Sequence, residues 1–65
     1  MKIQKYLFRL QLLENLIERG STGSPNQIAK RLGISRSMLY KYIDYIKEKN
    51  GEITYSRKLN TFKYK

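Results

Sequence analysis

The chain has no cysteine and no histidine among its 65 residues, and only five acidic side chains. The first two absences exclude disulfides, thiol redox chemistry, Cys or His metal sites and the commonest general base. No enzymatic activity, cofactor or metal is therefore expected. No apolar run is long enough to cross a membrane, and no signal-peptide pattern opens the chain, so the expected location is cytoplasmic, with the nucleoid. Internal repeats, low-complexity tracts and linkers are missing too, which predicts one domain over residues 1–65. At this length a single small core is all the chain can build, near the limit at which a core holds without staples.

Positive charge is what the chain has in excess: fourteen Lys and Arg against five Asp and Glu, a net +9. Such a surface favours a polyanion, and nucleic acid is the commonest one. A membrane surface would require a large apolar face left over after folding, whereas most apolar residues here are claimed by a core. From Lys30 onward there are ten basic residues and only Asp44, Glu48 and Glu52 to oppose them, so binding is expected at that end.

The stretch Ser24 to Lys47, SPNQIAKRLGISRSMLYKYIDYIK, organises the rest. Ser24 can cap a helix, Pro25 suits its first position and Gln27 completes a capping box. Ile28 and Leu32 give this helix, 25–32, an apolar stripe, with Ala29 small enough for close approach by a second helix. Gly33 stops it, Ile34 turns back to the core, and Ser35 caps the next helix. That is a helix-turn-helix. The second helix, 36–50, ends at Asn50-Gly51 and commits Leu39, Ile43 and Ile46 to the core. Arg36, Ser37, Tyr40, Lys41 and Asp44 then lie on or beside the outward stripe, where cations and hydroxyls suit phosphates and base edges, with the Ser35 helix terminus near a phosphate.

Residues 2–19 read as the longest helix, with Ile3, Tyr6, Leu7, Leu10, Leu13 and Ile17 on one stripe. Phe8, Leu12 and Leu16 form a second stripe: either it widens the core or it meets a second copy of the chain in a homodimer. Gly20 to Gly23 make the turn to the next helix, and Ser21-Thr22 is a candidate short strand. After Gly51 the period becomes alternating. Residues 52–56 and 61–65 flank the loop Arg57-Lys58-Leu59-Asn60, a β-hairpin in which Tyr55 faces Phe62 and Ile53 faces Tyr64 while Thr54, Lys63 and Lys65 point away. Met38, Tyr42 and Tyr45 make an aromatic stripe beside the core, expected as its rim under the hairpin.

Helix, helix-turn-helix and a basic-tipped hairpin, in that order, make an α+β winged helix-turn-helix. Through LLENLIERGSTGSPNQIAKRLGISRSMLYKYIDYIKE and ITYSRKLNTFKY the chain resembles the N-terminal domains of bacterial DeoR-type and biotin-ligase-type repressors. The resemblance implies double-stranded DNA as partner, with Arg36, Ser37, Tyr40 and Lys41 in the major groove and Arg57 and Lys58 of the wing on the neighbouring groove or backbone. Beside those base-reading positions and Ser35, the expected phosphate contacts are Lys30, Arg31, Lys47, Lys58 and Lys63. Met38, Tyr42 and Tyr45 depart from the more polar residues usual in that family, and no effector domain follows the wing, so no small-molecule effector is expected. Two other readings stay open: a protein-interaction module using the Phe8 and Met38 stripes, and RNA binding through the basic surface.

Overall fold

In the computed structural model, residues 2–65 are described, with side chains from residue 5 onward; Ile3, expected on the core stripe, lies outside the described side chains. Three helices, α1 (Lys2–Arg19), α2 (Pro25–Leu32) and α3 (Arg36–Asn50), precede two strands, β1 (Ile53–Ser56) and β2 (Thr61–Tyr64). The strands pair antiparallel as a two-stranded sheet, and the fold is an α+β winged helix-turn-helix.

Local chemistry sets each boundary of the helix-turn-helix. The Gln27 N–H donates to Ser24 Oγ at 3.2 Å while Gln27 Oε1 accepts from the Ser24 N–H at 2.8 Å, so the two residues cap one another. At the far end of α2, Gly33 takes a left-handed conformation (φ 72°), and the Ile34 N–H reaches back to the Ala29 carbonyl at 3.0 Å. This closing bond ties off a carbonyl the helix cannot satisfy itself and drops Ile34 onto the core. Ser35 Oγ then accepts from the Met38 N–H at 3.1 Å and starts α3.

The core lies where the three helices and the wing converge. Leu13 and Ile17 of α1, Ile28 of α2 and Leu39 and Ile46 of α3 are almost wholly buried, and Ile53 and Phe62 close it from the wing. On α1 the second stripe follows the core-widening alternative at Leu16 and Leu12, whereas Tyr6 (40% exposed) and Leu7, both expected on the core stripe, are exposed. Leu16 is 6% exposed and belongs to the core, and Leu12 is half-buried against it. Leu7 at 56% and Phe8 at 66% stand in solvent. Leu7 lines a shallow cleft with Tyr45 and Lys49 of α3 that no described residue fills, and the hollow beside Phe8 is lined only by residues of α1 itself, Gln11, Leu12 and Asn15.

The wing has the register the alternation predicts, with Ile53 opposite Tyr64 and Tyr55 opposite Phe62. The Tyr55 and Phe62 rings meet edge to face at 5.0 Å between centroids. Asn60 adopts φ 54° at the return of the loop, and the Tyr55 hydroxyl donates to its Oδ1 at 2.6 Å.

Ser21-Thr22 does not form a strand. Instead the Thr22 N–H donates to Thr61 Oγ1 at 3.0 Å, and the Phe62 N–H donates to Thr22 Oγ1 at 2.8 Å, both bonds being buried. Hydroxyls take the place that backbone carbonyls hold in a ladder pair, so this segment joins the edge of β2 without extended pairing. Thr61 is 2% exposed as a result, although it shares a strand face with the exposed Lys63.

The aromatic rim is also rearranged. Tyr42 is buried, but against α1, where its ring meets Tyr6 edge to face (5.2 Å, 87°), while Met38 and Tyr45 are exposed. Tyr40 of α3 lies beside the wing instead, its ring 6.4 Å from that of Phe62.

Candidate nucleic-acid interface

Helix α3 sets out the outward stripe. With Leu39, Ile43 and Ile46 held in the core, the residues about half a turn away must point outward, and Arg36, Ser37, Tyr40, Lys41 and Asp44 are all exposed. Tyr40 retains 40% exposure although its ring rests against Phe62, so the hydroxyl sits at the junction of α3 and the wing with its ring supported. Ser35 Oγ occupies only one of the free amides at the start of α3. The Arg36 and Ser37 N–H groups, in the first turn, have no carbonyl one turn earlier to bond, which leaves them directed toward any anion that approaches.

Cations stand on α2, on α3 itself and on the wing. Lys30 and Arg31 are exposed in the last turn of α2, where positive charge also suits the helix dipole. Lys47 is half-buried near the end of α3. Arg57 and Lys58 are exposed at the wing loop, and Lys63 is exposed on β2 opposite Thr54.

The wing is anchored rather than free. Asn60 Nδ2 lies 3.4 Å from Gln27 Oε1, the atom that also caps α2, so the loop carrying Arg57 and Lys58 is referred to the start of the helix-turn-helix. At the other end Asn50 Nδ2 donates to the Tyr64 hydroxyl at 3.3 Å, which links the end of α3 to β2. These bonds and the Thr22–Thr61 contact give the wing a set position relative to α3, a condition for the two to engage one rigid duplex together.

Asp44 on the α3 stripe and Leu59 at the wing loop, 61% exposed, are exposed side chains of this region to which the sequence assigned no role. Asp44 was legible as a position on the stripe, but its charge is of the wrong sign for a phosphate contact. Leu59 had no signal, since alternation says nothing about a residue inside a loop.

Among the described residues no group of His, Cys, Asp or Glu could hold a metal ion, and no helix is long and apolar enough to cross a membrane. A shallow cleft of about 340 Å³ between α1 and α3 is lined by Leu7, Leu10, Gln11, Glu14, Tyr45 and Lys49, away from the basic stripe. In comparisons with known proteins, a family model described as an HTH domain matches residues 9–59. No curated protein and no solved structure matches the chain significantly.

Proposed function

The chain belongs to the HTH domain family, a family of DNA-binding domains, and on that premise we propose that it reads duplex DNA sequence-specifically as a small transcriptional regulator. Helix α3 lies in the major groove and the wing on the adjacent groove or backbone. Base edges are read by Arg36, Ser37, Tyr40 and Lys41, and phosphates are held by Lys30, Arg31, Lys47, Lys58 and Lys63 together with the Ser35-capped start of α3. Arg57 leads the wing. The protein performs no chemistry and works beside the nucleoid.

The observation that carries this reading is the exposed stripe of α3. Leu39, Tyr42, Ile43 and Ile46 commit the opposite face to the core, so the side chains Arg36, Ser37, Tyr40 and Lys41 stand exposed, on a chain of net +9 with further exposed cations on α2 and the wing. Electrostatics of that kind has a measurable signature. Five phosphate contacts predict a slope of about −4.5 for log affinity against log salt, hence roughly a 500-fold loss between 50 and 200 mM. Titration of labelled duplex DNA, duplex RNA and single strands across that range tests it. Duplex DNA should bind best and most steeply; salt-independent binding, or preference for RNA, overturns the reading.

A homodimer is the second element of the proposal, because one such domain covers a short stretch of DNA and a pair gains specificity from half-site spacing. Its surface differs from the stripe read in the sequence. Leu16 is buried within the chain, so the pairing face is Leu7 and Phe8 with the exposed edge of Leu12.

A further inference from the structure

We infer that Asp44 is a specificity determinant that reads the amino group of a cytosine in the major groove. The inference rests on the DNA-binding reading above and adds to it a contact of opposite sign from all the others. Asp44 comes seven residues, two turns, after Ser37 and falls on the same exposed stripe of α3, past Tyr40 and Lys41. A helix seated by its first turns therefore carries this carboxylate into the groove as well.

The chemistry of an ionised carboxylate then limits what it can face. It only accepts hydrogen bonds. In the major groove guanine offers O6 and N7, and thymine offers O4 and a methyl, so both present acceptors or apolar surface to it. Adenine has an N6 donor, but the N7 lone pair beside it opposes a second carboxylate oxygen. Cytosine N4 is the donor without that neighbour. Any other base leaves the carboxylate against acceptors in a polyanionic groove, so Asp44 selects by repulsion as well as attraction.

The surroundings make the position tenable. Lys41 and Lys47 lie three residues before and after Asp44, one turn to either side, and offset the repulsion from the phosphates. Glu48, a further turn along the exposed side, adds a second carboxylate where a straight helix leaves the curved groove. With Glu48 rather than a cation or hydroxyl following Asp44 on the outward stripe, base readout is confined to the stretch ending at Asp44. Along the helix, Asp44 is about 10 Å from Ser37, or roughly three base steps at about 3.4 Å each.

Selection from a random duplex pool with wild type, Asp44→Ala and Asp44→Asn provides the test, followed by affinity measurements on the selected site, its single-base variants and an unrelated duplex. The wild type should select a C·G pair about three steps from the position whose preference disappears in Arg36→Ala or Ser37→Ala, and replacing it should weaken binding about fivefold or more. Asp44→Ala should lose that one preference and bind the unrelated duplex about three- to tenfold more tightly, since a charge facing the phosphates is gone. Asp44→Asn, which keeps the shape, should move the preference toward adenine, the base an amide pairs with at N6 and N7. It also decides the case should Asp44→Ala lose helicity. Unchanged base preferences in both variants, or a wild type that binds duplexes with no preference at any position, overturn the assignment of Asp44. A wild type that binds no duplex overturns the DNA-binding reading itself.

Discussion

Replacing Thr61 by valine removes one hydroxyl from a site that the chain cannot rewet. The substitution keeps the branched shape of the side chain on β2, so packing changes little. It deprives the Thr22 N–H of its acceptor at 3.0 Å and takes away the hydroxyl 3.1 Å from that of Thr22, in a pair of residues that are both buried. A buried donor left without a partner costs about 1–3 kcal/mol, and valine's slightly better strand preference returns at most a few tenths of that. The expected net loss of about 1–2 kcal/mol is large against the roughly 3–10 kcal/mol that a chain of this size has in total. A fall in Tm of about 4–16 °C follows, at about 4–8 °C per kcal/mol. Urea and thermal unfolding followed by circular dichroism would measure it.

Thr22→Val orphans a different donor, the Phe62 N–H at 2.8 Å, and should cost a similar amount. The double variant should lose less than the sum of the two, because the hydroxyl pair is counted in both singles. Thr54→Val, half-buried on β1 opposite Lys63, is the control and should stay within about 0.5 kcal/mol of wild type. The reasoning fails if Thr61→Val is as stable as wild type, or if the double variant shows no coupling between the two sites.

Arg36→Ala should cost about 1–3 kcal/mol on a preferred duplex and relax its sequence preference, whereas Lys58→Ala should weaken all duplexes alike and flatten the salt slope by about one unit. Binding to selected and scrambled duplexes separates the two, with Leu39→Ala, which empties a core position, as the control that loses stability first. Gly33→Ala should destabilise by about 1–2 kcal/mol in thermal melts, a purely conformational effect of its φ of 72°, since the nearest atom to the added methyl is an Arg9 nitrogen 3.9 Å away. Phe8→Glu should leave the fold intact, because Phe8 is 66% exposed, and should turn a dimer into a monomer by analytical ultracentrifugation. A wild type that sediments as a monomer at high concentration removes the homodimer from the proposal.

The sequence by itself determined whatever is decided within a turn or across one short loop. Ser24 with Gln27, Gly33 with Ile34, and Ser35 before Arg36 each meet a partner at most five residues away, so side-chain chemistry alone names the helix boundaries. The wing register is equally local: a four-residue loop and a period of two leave one arrangement that turns Ile53, Tyr55, Phe62 and Tyr64 to the core together, Ile53 and Phe62 buried and the two tyrosines half-buried. The inward stripe of α3 also follows from period alone, and with it the outward position of Arg36, Ser37, Tyr40 and Lys41. The tertiary structure decided what depends on how one element covers another. Periodicity gives the direction a side chain points but not whether anything lies above it. For that reason Leu7 and Phe8 stand in solvent while Leu16 sinks into the core, and Tyr42 finds Tyr6 while Tyr40 finds Phe62. Thr22 and Thr61 are the extreme case, 39 residues apart in the chain and joined by two hydroxyls that carry no pattern in the sequence, because only the folded chain brings an unpaired strand edge and a loop amide to the same dry place.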